Sequence, residues 1–187
     1  MPRLNQRLGF TRYEADEYYK RALESYRKND FDSAIDAMTD AIDALPGKSE
    51  YLAARGLMYL EDGEIEKAEA DFEQALRHYA YEMLAHYGRG MIAYKAKDWD
   101  AALTYFISAQ RIEPARPETA YYLALTLAHK RQFADAAAQM AHAQQIFDQA
   151  DDRRKADAAR WLRELTRQAE RPPTLFDAGA GSTRPRP

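Results

Sequence analysis

Alanine recurs every 34 residues along this chain, and that spacing limits the folds open to it more than any other feature. Ala34, Ala68, Ala102 and Ala136 form one series, and Ala41, Ala75, Ala109 and Ala143 form a second. A third phase keeps a small residue: Ala22, Gly56, Gly90, Ala124. Two more keep large apolar ones, Phe31, Ile65, Trp99, Phe133 and Met38, Phe72, Phe106, Met140. Five series in one register without an insertion describe a chain built from a repeated unit.

Each unit reads as two amphipathic helices, and neither can bury its apolar stripe alone. The small residue of the first helix (Ala22, Gly56, Gly90, Ala124) faces the small residue early in the second (Ala34, Ala68, Ala102, Ala136). Small against small lets two antiparallel helices approach closely. The aromatic or aliphatic residue opening each second helix fills the wedge beside the turn, and the last alanine leaves room for the next unit. Asn29-Asp30, Asp62-Gly63, Lys97-Asp98 and Arg131-Gln132 lie between the helices at matching phase, and the first three contain Asn, Asp or Gly. Pro46 and Pro114 fall where second helices end; Ala80 and Asp148 hold that phase in the other two units.

These residues resemble the tetratricopeptide repeat family, whose unit carries a W-x2-L-G-x2-Y…A-x3-F…P pattern. The second unit fits it best, with Leu52, Gly56, Tyr59, Ala68, Phe72 and Ala75. The third keeps Gly90, Ala102, Phe106, Ala109 and Pro114 but has Ala93 in place of tyrosine. The first and fourth replace glycine by alanine and phenylalanine by methionine. The resemblance spans about residues 15–148 and implies an all-α fold: a right-handed α-solenoid of about four helical hairpins with a C-terminal capping helix. The expected organisation is a lead-in over 1–11, four repeats within 12–149 (about 15–48, 49–82, 83–116 and 117–150), a capping helix over 151–170 and a disordered tail over 171–187. Thr11 and Glu14 suit a capping box that starts the first helix near Arg12. In the cap, Ala158, Trp161, Leu162, Leu165 and Ala169 share one side, arginines occupy the rest, and Pro172-Pro173 stops the helix.

The resemblance also implies where a ligand would sit. In this family the first helices line a concave face that binds extended or helical peptides. The matching positions here are Tyr19, Leu23 and Tyr26 in the first repeat and Leu57 and Leu60 in the second. The third contributes Tyr87, Met91 and Tyr94, and the fourth Tyr121, Tyr122 and Leu125. Tyrosine combines contact area with a hydroxyl at low entropic cost, which suits a recognition surface; some of these side chains must instead pack between neighbouring helices. Some family members hold a partner's C-terminal carboxylate with a lysine and asparagine clamp, but here the matching positions are Tyr19, Leu23, Ala53 and Leu57. An apolar or amphipathic segment is therefore the expected partner, with Lys20, Arg27 and Lys95 placed to meet acidic residues in it. Arg21, Arg55 and Arg89 also recur at the repeat spacing. They form either a ladder for an acidic ligand or structural pairs with carboxylates of second helices, such as Arg55 with Asp71. The structural reading is favoured, because their phase lies beside the helix pair.

Catalysis finds little to use. Cysteine is absent, so no disulfide, thiolate zinc site or thiol nucleophile exists. The histidines, His78, His86, His129 and His142, have no metal-ligand spacing, and no glycine-rich phosphate loop or nucleophile elbow occurs. Neither an enzyme nor a cofactor is expected. Nothing approaches the roughly 18 apolar residues of a membrane-spanning helix, and no apolar run near the start suits a signal sequence, so the expected compartment is the cytoplasm. A net charge of −3 provides no general attraction for nucleic acid. The expected function is a protein-interaction adaptor or scaffold. Two alternatives are self-assembly, through Leu175 and Phe176 of the tail docking in another copy, and nucleic-acid binding by the basic residues between Arg153 and Arg171 beside Trp161.

Overall fold

A computed structural model of the chain describes residues 10–171; the expected lead-in, but for its last two residues, and the expected tail, but for Arg171, lie outside them. The described residues form nine helices and no strand. They are α1 (Phe10–Arg27), α2 (Phe31–Ala44), α3 (Ser49–Asp62), α4 (Ile65–His78), α5 (Met83–Lys95), α6 (Trp99–Ile112), α7 (Pro117–His129), α8 (Phe133–Gln149) and α9 (Lys155–Ala169). α1/α2, α3/α4, α5/α6 and α7/α8 are the four hairpins, and α9 closes the stack against α8. The backbone is already helical at Thr11, so a Thr11 cap does not start α1.

Each hairpin turn is built the same way. One residue per turn adopts left-handed backbone, at positions again one repeat apart: Asn29 (φ 59°), Gly63 (φ 90°), Lys97 (φ 61°) and Arg131 (φ 61°). The amide after it bonds back to the last turn of the first helix: Asp30 N to Ser25 O at 3.1 Å, Glu64 N to Tyr59 O at 2.9 Å, Asp98 N to Ala93 O at 2.9 Å and Gln132 N to Leu127 O at 3.0 Å. This pattern satisfies carbonyls that a helix end leaves orphaned. Asp30 and Asp98 then cap the second helix, accepting the amides of Ser33 (3.2 Å) and Ala101 (3.0 Å).

The alanine series lie at the helix contacts. Ala22, Ala34, Ala41, Ala68, Ala75, Ala102, Ala109, Ala124, Ala136 and Ala143 are all fully buried. Three apolar clusters follow one another along the stack, around Met38, around Phe72, and around Phe106, Met140 and Phe147. Leu57, Leu84 and Met91 pack against both the second and the third and join them into one core. The helix pairs approach so closely that a Cβ on Gly56 would stand 2.6 Å from the Phe72 ring. A Cβ on Gly88, from the next first helix, would run into the same ring. Where alanine replaces that glycine, at Ala22 and Ala124, methionine replaces the phenylalanine, at Met38 and Met140. The flexible thioether leaves the volume that the alanine methyl needs.

The arginine series is structural at Arg55. Its Nε and Nη2 each donate to Asp71 at 2.8 Å, Nη1 donates to Thr39 Oγ1 at 3.1 Å, and Asp71 is 5% exposed. Arg21 pairs with Asp40 of α2 at 3.0 Å, and Arg89 lies over the Tyr105 ring of α6 at 4.7 Å. All three guanidiniums are engaged by second helices.

Candidate functional site

The first helices α1, α3, α5 and α7 carry the expected ligand-facing residues, and these divide by burial. Leu60 is 2% exposed within the core around Phe72, and Tyr87 is 9% exposed against Phe106. Those two present almost no surface to a ligand. Tyr19, Leu23, Tyr26, Leu57, Met91, Tyr94, Tyr121, Tyr122 and Leu125 are half-buried.

Tyr122 is the hub of an aromatic group. Its ring lies 6.0 Å from Phe106, 6.2 Å from Tyr87, 5.6 Å from Tyr94 and 5.6 Å from Tyr121. Tyr94 continues the group to Trp99 at 5.4 Å, and Trp99 stacks on His129 at 4.0 Å with the planes 4° apart. The edge-to-face contacts suit the charge distribution of aromatic rings. At the other end, Tyr19 stacks on Tyr51 at 5.0 Å and donates to Glu50 Oε1 at 3.3 Å. Burial, then the Glu50 charge, pushes the Tyr19 hydroxyl up to about 12. Lys48 sits 4.1 Å over the Tyr51 ring and 6.0 Å from that of Tyr19. Tyr121 donates to Asp157 at 2.5 Å and so links α7 to α9.

Several charges face the tyrosines without having been expected there. Glu61, in the last turn of α3, acts on three of them. Burial is the main cause that raises Tyr26, Tyr87 and Tyr122, and the Glu61 carboxylate adds to it in each case. Arg116, just before α7, opposes that rise at Tyr26 and Tyr87 and lies 5.3 Å over the Tyr87 ring. Glu118 sits between two arginines: Arg154 Nη1 at 2.8 Å and Arg116 Nε at 3.7 Å. Arg154 also pairs with Asp152 at 2.7 Å and covers the Phe147 ring at 4.5 Å. The arginines here are largely neutralised by neighbouring carboxylates. A faint signal for them existed, since Lys48, Glu82 and Arg116 precede successive first helices at the repeat spacing.

The expected basic edge is dispersed. Lys20 pairs with Glu17 at 2.7 Å on the outer side of α1, in a depression shared with Tyr13 and Glu24, away from the tyrosine hub. Arg27 and Lys95 are exposed in the last turns of α1 and α5, and Lys95 has no ion pair among the described residues. Among those residues no group of His, Asp and Glu suits a metal ion, and no helix is long and apolar enough to cross a membrane.

A family model described as tetratricopeptide repeat matches residues 19–82, 54–117 and 87–151, which together run through most of the chain. A comparison with curated protein sequences gives no match. Several solved structures are similar in fold. PilF of Pseudomonas aeruginosa is 16% identical with a TM-score of 0.72, over 85% of this chain and 70% of that one. MamA from Desulfovibrio magneticus RS-1 is 18% identical with a TM-score of 0.58, over 83% and 95%. The first repeat domain of Spaghetti (RPAP3), solved bound to the HSP90 peptide SRMEEVD, is 20% identical with a TM-score of 0.57, over 61% and 93%.

Proposed function

This chain belongs to the tetratricopeptide repeat family, and its architecture is that of a protein-interaction scaffold; from that premise we propose that it holds an apolar or amphipathic segment of another protein along α1, α3, α5 and α7. The observation that carries the reading is a shared lining: Leu57 of α3, Met91 and Tyr94 of α5, and Tyr121, Tyr122 and Leu125 of α7 are half-buried and pack against one cluster. Glu61 of α3 adds to the rise that burial causes at Tyr26, Tyr87 and Tyr122, which agrees with a space shared with α1. Its open lining is Leu57, Met91, Tyr94, Tyr122 and Leu125, with Tyr19, Leu23 and Tyr26 toward the first repeat.

The chemistry of that lining supports the choice of segment. Tyr19, Leu23, Ala53 and Leu57 stand where some relatives carry clamp lysine and asparagine, and Ala53 is fully buried. The arginines nearest the tyrosines are already paired with Glu118 and Asp152. A peptide rich in carboxylates, like the SRMEEVD bound in the RPAP3 structure, is thus the weaker fit; apolar side chains against the tyrosines are the stronger one.

The test is affinity capture from a native extract, with Leu125→Glu and Met91→Glu compared against the unaltered chain. Both positions are half-exposed, so helicity by circular dichroism should persist while the specific partner is lost. Undiminished capture by folded variants would sink the groove assignment.

A further inference from the structure

Resting on that groove, we propose that Arg116 reads the main chain of the bound segment: its guanidinium donates to a backbone carbonyl, so the segment is extended rather than helical where it passes Tyr87.

Arg116 directly precedes α7, and its guanidinium lies 5.3 Å over the Tyr87 ring of α5. Tyr87 is buried, so the surface that meets a ligand at this place is the guanidinium and not the phenol beneath it. The ring restrains the guanidinium, whose N–H groups lie along its edge. With 28% of its side chain exposed, Arg116 is a held group rather than a freely solvated one, which lowers the entropic cost of using it. It also counters the rise at Tyr26 of α1, in agreement with a charge turned toward the inner side.

The donors of this held group are unused. Arg116 Nε is buried and donates to nothing among the described residues. Its nearest carboxylate oxygen, Glu118 Oε2, stands at 3.7 Å, beyond hydrogen-bond distance. The other oxygen of Glu118 is taken by Arg154 Nη1 at 2.8 Å. Nη1 and Nη2 of Arg116 likewise have no acceptor among the described residues, and with Nε enclosed they are the groups a ligand meets. Lys48 makes the contrast. It holds the same place two repeats earlier and lies 6.0 Å from the Tyr19 ring, but Glu50 stands only 3.3 Å from its Nζ.

Charge decides which acceptor fits. Arg116 and Arg154 face Glu118 and Asp152, so the four charges balance. A further carboxylate would add repulsion from Glu118, whereas a neutral carbonyl satisfies the donors without it. An extended backbone presents a carbonyl at every residue; a helix has already bonded its own to its own amides.

Synthetic peptides test the inference. Short random peptides displayed on phage are selected on the full chain. The tightest binder is made with blocked ends, together with a series in which one backbone amide at a time becomes an ester, a weaker acceptor. One ester should lower affinity for the unaltered chain at least about tenfold. Arg116→Met keeps an apolar stem on Tyr87 and removes the donors. It should weaken the all-amide peptide by a similar factor and make that same ester harmless, with helicity by circular dichroism retained. An ester series in which no position couples to Arg116→Met would overturn the proposal. So would selected peptides rich in Asp and Glu whose affinity falls steeply with salt, which would make Arg116 a carboxylate reader. Leu125→Glu is a separate readout: if it abolishes peptide binding and Arg116→Met does not, the groove stands and the role of Arg116 falls.

Discussion

The Phe106 ring fills the space that a side chain on Gly90 would need: a Cβ there would stand 2.7 Å from two carbons of the ring. The ring is fully buried and touches Tyr87 and Tyr122, so it has no room to retreat. Gly90→Ala should cost about 1–3 kcal/mol by overpacking. The first and fourth hairpins already contain the remedy, alanine with methionine. Phe106→Met alone leaves volume unfilled, whereas the double variant should recover much of the loss. A double-mutant cycle from urea unfolding should give a favourable coupling of about 0.5–3 kcal/mol; additive losses would contradict the steric account.

The Arg55–Asp71 pair predicts a different kind of loss. Both carboxylate oxygens accept from the guanidinium, and Thr39 takes a further donor. Asp71→Ala leaves a charge largely enclosed without its partner, which costs about 3–5 kcal/mol in comparable buried pairs. Arg21, whose pair with Asp40 is exposed on both sides, offers the contrast. Asp40→Ala should change stability by less than about 1 kcal/mol. Equal losses in thermal melts would mean that burial is not what sets the difference.

The hairpins were legible in the sequence because close approach forces residue size, and size repeats every 34 positions. Ala34 must be small, and the Phe72 position must hold a large apolar side chain, once the helix pair is drawn together. The inner surface was less legible, because phase sets the side of a helix but not what covers it. Tyr19, Tyr87 and Tyr121 share one phase, yet Tyr87 alone is buried, beneath Arg116 and Tyr122. Leu60 shares the phase of Tyr26 and Tyr94, but its shorter side chain ends inside the core around Phe72. Glu61 and Glu118 act through neighbours far away in sequence, and nothing local marks them. Lys20 fails for a related reason: its partner Glu17 lies one turn back on the outer side of α1.

The left-handed turn residues predict a gain. Lys97 takes φ 61° at the position that Gly63 fills in the second hairpin. A side chain in that conformation costs about 1–2 kcal/mol, and glycine avoids it at an entropic cost of about 0.5–1 kcal/mol. Lys97→Gly should therefore raise stability by up to about 1.5 kcal/mol. Asn29→Gly should gain less, since asparagine tolerates this backbone. The midpoint of urea unfolding measures both, and a loss at Lys97 would refute the turn strain.

The buried tyrosines predict an alkaline transition. Tyr19 is raised from the ordinary 10.0 to about 12, by burial and then Glu50, and burial likewise raises Tyr26, Tyr51, Tyr87, Tyr94, Tyr121 and Tyr122. Below pH 10 the phenols are neutral in folded and unfolded chains alike, and their burial contributes in full. Between pH 10 and about 12 the unfolded chain ionises while the folded one does not, so the unfolded state gains and stability falls. The share of phenolate absorbance that comes from these tyrosines should rise together with the loss of helicity rather than ahead of it. Tyr19→Phe removes one such group and should make the fall of stability with pH shallower in that window. Smooth ionisation of every tyrosine near pH 10 with helicity intact would show that these hydroxyls are open to solvent.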